Sequence, residues 1–138
     1  MKHLINGKWI RSGCIAAAFF MAALLFLAAD KTAQIPLLPE LPDKLVHFCY
    51  YGVMAFLLVQ GVGRRWLWLP LILVPLVGAL DEWHQLYVPG RDASVYDWMA
   101  DVAGTVAFVY AYYRATKRGA AGRGLRIRDG KGRDGVRP

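Results

Sequence analysis

Residues 12–29 read SGCIAAAFFMAALLFLAA, an unbroken run without a single charge. As an α-helix this run is about 27 Å long, close to the roughly 30 Å hydrocarbon core of a bilayer. Lys2, Lys8 and Arg11 precede it, so it reads either as a signal peptide cleaved near Ala29 or as a first membrane span. Three more apolar blocks follow, and they favour the span. The second covers Lys44 to Gly63, the third Trp66 to Tyr87 and the fourth Asp97 to Arg114. A soluble domain would alternate apolar and polar faces, whereas here the apolar residues come in long blocks. The chain is 57% hydrophobic with a mean hydropathy of +0.30. The fold class that follows is all-α, a polytopic membrane bundle of about four transmembrane helices in one domain over residues 1–114.

The connections carry their own signals. Asp30 to Pro42 holds Pro36, Pro39 and Pro42 and reads as a loop, because proline disfavours helix at the residue before it. Gly61, Gly63, Arg64 and Arg65 mark a tight turn after the second block. Pro70 and Pro75 predict a kink in the third. The Pro89-Gly90 pair places a turn within Val88 to Tyr96.

Basic residues set the orientation. Lys2, Lys8, Arg11, Arg64, Arg65 and the basic tail fall on one side. The other side has only Lys31, Lys44 and Arg91, against many carboxylates. The positive-inside rule then predicts a multi-pass protein of the inner (cytoplasmic) membrane with both termini in the cytoplasm. Trp9, Trp66, Trp68, Trp83 and Trp98 lie near block ends, where amphipathic rings favour the interface.

The net charge of +7 invites a nucleic-acid reading, but its distribution argues against one. Much of the positive charge lies in residues 115–138, a Gly- and Arg-rich stretch expected to be a disordered cytoplasmic tail. Directly after a span, such a tail meets anionic lipid rather than nucleic acid. Cys14 and Cys49 fall near opposite ends of the bilayer and are not expected to bond. Cys14 stands at the start of its apolar run rather than after it, which argues against lipidation.

The outer ends of three blocks hold the ionisable residues. Asp43 and His47 are spaced i, i+4 on one helix face, with Lys44 beside them and Tyr50 and Tyr51 continuing it. Glu82 and Gln85 share a face at i, i+3, with Asp81 alongside. Asp97 and Asp101 share another at i, i+4, and Arg91 sits in the turn. Ionisable groups at membrane depth are costly unless paired, so these ends should converge, with Lys44, Arg91 and His47 neutralising Glu82, Asp97 and Asp101. The plainer reading is interfacial anchoring, and for Asp97 helix capping. Anchoring suffices for Lys31, Glu40, Asp92 and His84, and balances a site role for Asp43 and Lys44. It is weaker for His47, Glu82, Gln85, Arg91 and Asp101, which recur on compatible faces. Asp43, His47, Glu82 and Asp101 offer metal-ligating atoms, but with Lys44 and Arg91 nearby internal ion pairing is preferred. No metal or cofactor is assigned. The chain has no GxSxG, Walker or GxGxxG motif.

The run Asp43-Lys44-Leu45-Val46-His47-Phe48 resembles the DKxxHF signature of the VanZ-like family. Glu82 and Gln85, then Pro89-Gly90-Arg91, Ser94, Asp97 and Gly104, match that family in order and spacing. The resemblance covers about Leu41 to Tyr112. One departure is Asp101, where the family often has asparagine. The resemblance implies a membrane protein of a family associated with resistance to the glycopeptide teicoplanin.

Three functions compete. The first is recognition or modification of an anionic cell-envelope lipid or cell-wall precursor, with Arg91, Lys44, Gln85, Asp43 and Tyr50 binding the headgroup. The second is a small membrane hydrolase or transferase acting on an envelope lipid, with Glu82, His47, Asp97 and Asp101 as its catalytic groups. The third is a proton-coupled permease, which a chain this short would have to oligomerise to build.

Overall fold

The computed structural model describes residues 7–32 and 43–133, and the side chains of residues 7–27 and 43–118. Four α-helices follow one another: α1 (Gly7–Thr32), α2 (Asp43–Val62), α3 (Trp68–Gln85) and α4 (Val95–Arg133), with a 3₁₀ turn at Arg64–Trp66. Among the described residues there is no strand, so the all-α class holds. Each expected block forms the core of one helix. Most of the Asp30–Pro42 loop, including Glu40, lies outside the described residues.

α4 continues to Arg133, past residue 114 where the last apolar block ends.

Segments Gly7–Leu27 and Asp43–Val62 are long and apolar enough to cross a bilayer. α3 and α4 are not counted with them: Asp81, Glu82, His84 and Gln85 make the end of α3 polar, and Asp97 and Asp101 open α4. The distribution of residues is inverted relative to a soluble protein. Phe19, Phe20, Leu27, Ile72, Leu76, Val106 and Tyr110 are exposed, whereas Asp81, Glu82, Gln85, Asp97, Asp101 and Thr105 are buried. Apolar surface on every helix and polar groups inside suit a lipid surround.

Glycines set the helix spacings. Gly104 of α4 lies directly on the backbone of Phe48 in α2, Gly52 of α2 faces the ring of Phe108, and Gly78 of α3 faces the Asp101 carboxylate. Small residues let helix backbones approach without the help of a hydrophobic driving force. Beneath them Ala18, Tyr51, Met54, Ala55, Leu58, Val74 and Val109 form the apolar core.

At the opposite end of the bundle Arg11 caps α2. Its guanidinium donates to Gly61 O at 2.8 Å and Val62 O at 3.0 Å, filling carbonyls that no further helical turn would satisfy. Gly63, with φ of 81°, then reverses the chain in a conformation that disfavours any side chain. Pro70 falls in the first turn of α3, where its missing N–H costs nothing, while Pro75 lies inside the helix. The indole of Trp98 donates to Pro75 O at 3.0 Å, tying α4 to α3 at that point.

Candidate functional site

α2 and α4 begin, and α3 ends, at the same end of the bundle. This antiparallel arrangement brings together charges that lie far apart in sequence. At the rim, the Lys44 Nζ pairs with Asp97 Oδ1 at 3.2 Å; the lysine side chain is 59% exposed and the carboxylate 10%. Asp43 is exposed beside them. One turn deeper, His47 Nδ1 meets Asp101 Oδ1 at 2.9 Å, with Asp101 fully buried. Gly78 makes room for that carboxylate, since a Cβ there would lie 2.6 Å from Asp101 Oδ2.

α3 supplies the third wall. Glu82 Oε2 accepts a hydrogen bond from the Ser94 backbone N–H at 2.7 Å. That contact joins the end of α3 to the residue from which α4 starts, because Ser94 O accepts from the N–H groups of Asp97 and Trp98. Asp81 Oδ2 accepts from Gln85 Nε2 at 3.0 Å and from the Tyr51 hydroxyl at 3.3 Å. The Tyr51 ring also lies parallel to His47, with centroids 6.0 Å apart. The loop between α3 and α4 turns at Gly90, with φ of 82°, and Arg91 N donates to Val88 O at 3.2 Å. Pro at the second position and Gly with positive φ at the third suit a type II turn.

Most of the expected site residues meet here. Lys44, His47, Glu82, Asp97 and Asp101 gather at one end, and Gln85 reaches them through Asp81. Arg91 is partly buried in the loop and interacts within the structure. Tyr50, expected among the headgroup-binding residues, is directed to α1. Its hydroxyl donates to Met21 O of α1 at 2.6 Å, so it fastens α1 to α2. Tyr51, one position on, takes the polar role, because it lies i+4 from His47 and so on the same face. Sequence reasoning also left out Asp81 and Thr105 as site residues. Spacing of i, i+4, from Gln85 and Asp101 respectively, was the signal that pointed to them. Thr105 is fully buried, with a hydroxyl that has no hydrogen-bond partner among the described residues.

The arrangement is a buried centre of histidine and carboxylates under a charged rim. A family model described as VanZ/LLP1 matches residues 8–116, a stretch that contains every residue of this centre. The chain belongs to the VanZ/LLP1 family. No curated protein and no solved structure matches it. The VanZ/LLP1 match reaches back to residue 8, so it takes in the first helix as well as the motif-bearing segment. Together with the two membrane-length helices and the apolar exterior, it supports a membrane protein. In this VanZ/LLP1 chain the motif residues fall into two groups: Lys44, His47, Glu82 and Asp97 build the centre, while Gly104 and the Pro89-Gly90 turn bring its walls together.

Proposed function

We propose that this protein crosses the inner membrane four times, with both termini in the cytoplasm, and that its outer-face centre takes the headgroup of an anionic envelope lipid or cell-wall precursor. The carrying observation is the placement of Lys44, more than half exposed, above the buried His47–Asp101 pair. An ammonium has three donors, so pairing with Asp97 leaves others to meet a phosphate or carboxylate at the rim. Arg91 stands in the adjoining loop, and a guanidinium binds such groups in a bidentate fork. The asymmetry of basic residues supports the orientation, and the apolar exterior of all four helices supports four spans.

The binding test uses a polyprenyl phosphate and the detergent-purified chain. Saturable binding is expected, weakened about tenfold in Lys44→Ala, in line with loss of one charge-assisted hydrogen bond. Equal binding of an uncharged polyprenol, or full binding by both Lys44→Ala and Arg91→Ala, would overturn the reading. Topology is tested separately: Asp92→Cys should react with a membrane-impermeant maleimide in intact cells, and Lys117→Cys should not. The family resemblance carries the proposal on to teicoplanin. Cells expressing the chain should lose susceptibility, and the Lys44→Ala variant should restore it.

One observation favours a second reading, modification of the lipid. A histidine held by a buried carboxylate at 2.9 Å is oriented as a general base or acid, and Glu82 stands within the same cluster. Mass spectrometry of an envelope-lipid extract, before and after incubation with the protein, decides it. A lipid whose mass changes with wild type but not with Glu82→Gln establishes an enzyme; an unchanged extract removes this reading.

A further inference from the structure

The outer centre carries more acid than base. Asp43, Asp81, Glu82, Asp97 and Asp101 outnumber Lys44 and His47 taken together with Arg91 of the adjoining loop, so carboxylates exceed cations even when all three bases are charged. Four of the five acids are buried. An excess of buried negative charge is costly unless something positive joins it.

We propose that His47, Glu82 and Asp101 hold a divalent metal ion between α2, α3 and α4. Sequence spacing alone favours internal ion pairing, but the fold adds two observations. The first is geometric. These residues each offer one ligand atom, and the three atoms lie within 4.8 Å of one another, all on side chains that are at most partly exposed. The 2.9 Å between His47 Nδ1 and Asp101 Oδ1 is close to the roughly 3 Å separating adjacent ligands of a six-coordinate ion with bonds near 2.1 Å, and an ion bound there displaces to solvent the proton that the two atoms share. The second is independent of proximity. Asp101 uses only Oδ1 in a hydrogen bond and Glu82 only Oε2, while Asp101 Oδ2 and Glu82 Oε1 are buried without a hydrogen-bond partner among the described residues. Asp101 is fully buried and Glu82 is 9% exposed, so water at the surface does not serve these oxygens.

The residues around the three ligands suit that role. The Ser94 N–H fixes the Glu82 carboxylate by a hydrogen bond, as groups behind metal ligands commonly do, and the Tyr51 ring lies parallel to that of His47. One imidazole with two carboxylates suits Mn²⁺ or Zn²⁺ better than the all-oxygen shell favoured by Ca²⁺. The shallower group of Asp43, His47 and Asp97 is the poorer site, because Asp43 is exposed and Asp97 already pairs with Lys44. A bound ion would also give an acidic centre a direct hold on an anionic headgroup. The inference does not depend on the lipid reading, and its test contains no lipid ligand.

The experiment takes the full chain, purified in detergent without a tag and stripped with a chelator. Mn²⁺ is titrated in and followed by electron paramagnetic resonance. One ion should bind per chain, with nitrogen hyperfine coupling from an imidazole, and Zn²⁺ should displace it one for one. Glu82→Gln and Asp101→Asn should each weaken binding at least about tenfold. His84→Gln and Asp92→Asn should leave it unchanged, and His47→Gln should abolish the nitrogen coupling. Absence of saturable binding, bound Mn²⁺ without nitrogen coupling, or full affinity in both carboxylate variants would overturn the proposal. The wild-type spectrum decides the matter even where a variant does not fold.

Discussion

Gly104→Ala tests whether the site is set by the approach of α2 to α4. A methyl at position 104 overlaps the carbonyl of Phe48, and the obstacle is backbone rather than a side chain that could swing aside. Normal carbon contacts begin near 3.5 Å, so the two helices must separate by a distance on the order of 1 Å. Phe48 adjoins His47, and Gly104 lies three residues from Asp101, so the separation acts directly on the 2.9 Å contact between their side chains. Overpacking of this kind costs about 1–3 kcal/mol, and losing a hydrogen bond to a charged group about 1.5–3 kcal/mol more. The better helix propensity of alanine offsets up to about 1 kcal/mol. The expected net loss is about 1.5–6 kcal/mol. Equilibrium unfolding of the detergent-solubilised protein measures it, with Gly13→Ala as the matched control. A methyl added at Gly13 meets nothing within 4 Å, so that variant should be neutral or up to about 1 kcal/mol more stable. If Gly104→Ala unfolds within about 0.5 kcal/mol of wild type, the close backbone approach does not govern the fold and this reasoning fails.

Three further outcomes follow from individual contacts. Asp101→Ala strands His47 at a buried position and should cost about 3–5 kcal/mol, whereas Asp101→Asn keeps a hydrogen-bonding partner and should cost less than half as much; equal losses in unfolding experiments would contradict the pairing. Arg11→Ala removes two hydrogen bonds from the end of α2 and should destabilise by about 1–3 kcal/mol, and Arg11→Lys should recover only part of that, since an ammonium does not reproduce the fork. Glu82→Ala releases the Ser94 N–H, so hydrogen exchange should quicken at the start of α4 while α1 stays unchanged; unaltered exchange at residues 94–98 would show that the 2.7 Å contact does not hold the loop.

The legible part of this protein is the part written in local patterns. Uncharged runs such as residues 12–29 announce helices of membrane length by themselves, because the period and length of apolar residues are properties of neighbours in sequence. The turns are equally local: Gly63 and Gly90 both take positive φ, where their sequence contexts place chain reversals. Shared faces within one helix, Asp43 with His47 and Asp97 with Asp101, are readable for the same reason. What each face meets is not. Tyr50 and Tyr51 are indistinguishable in type, yet one bonds to the α1 backbone and the other to Asp81, and about 100° of helical rotation separates them. Gly78 could not be connected with Asp101 from sequence, since only the crossing of α3 and α4 places them together. Sequence therefore supplied the ionisable residues at the helix ends, but not the parts of Tyr51, Asp81 and Thr105 beside them. Which carboxylate oxygens are paired, which stand buried without a partner, and which three groups come within reach of one ion were decided by the tertiary structure, because contacts between helices depend on rotation and depth that no single helix encodes.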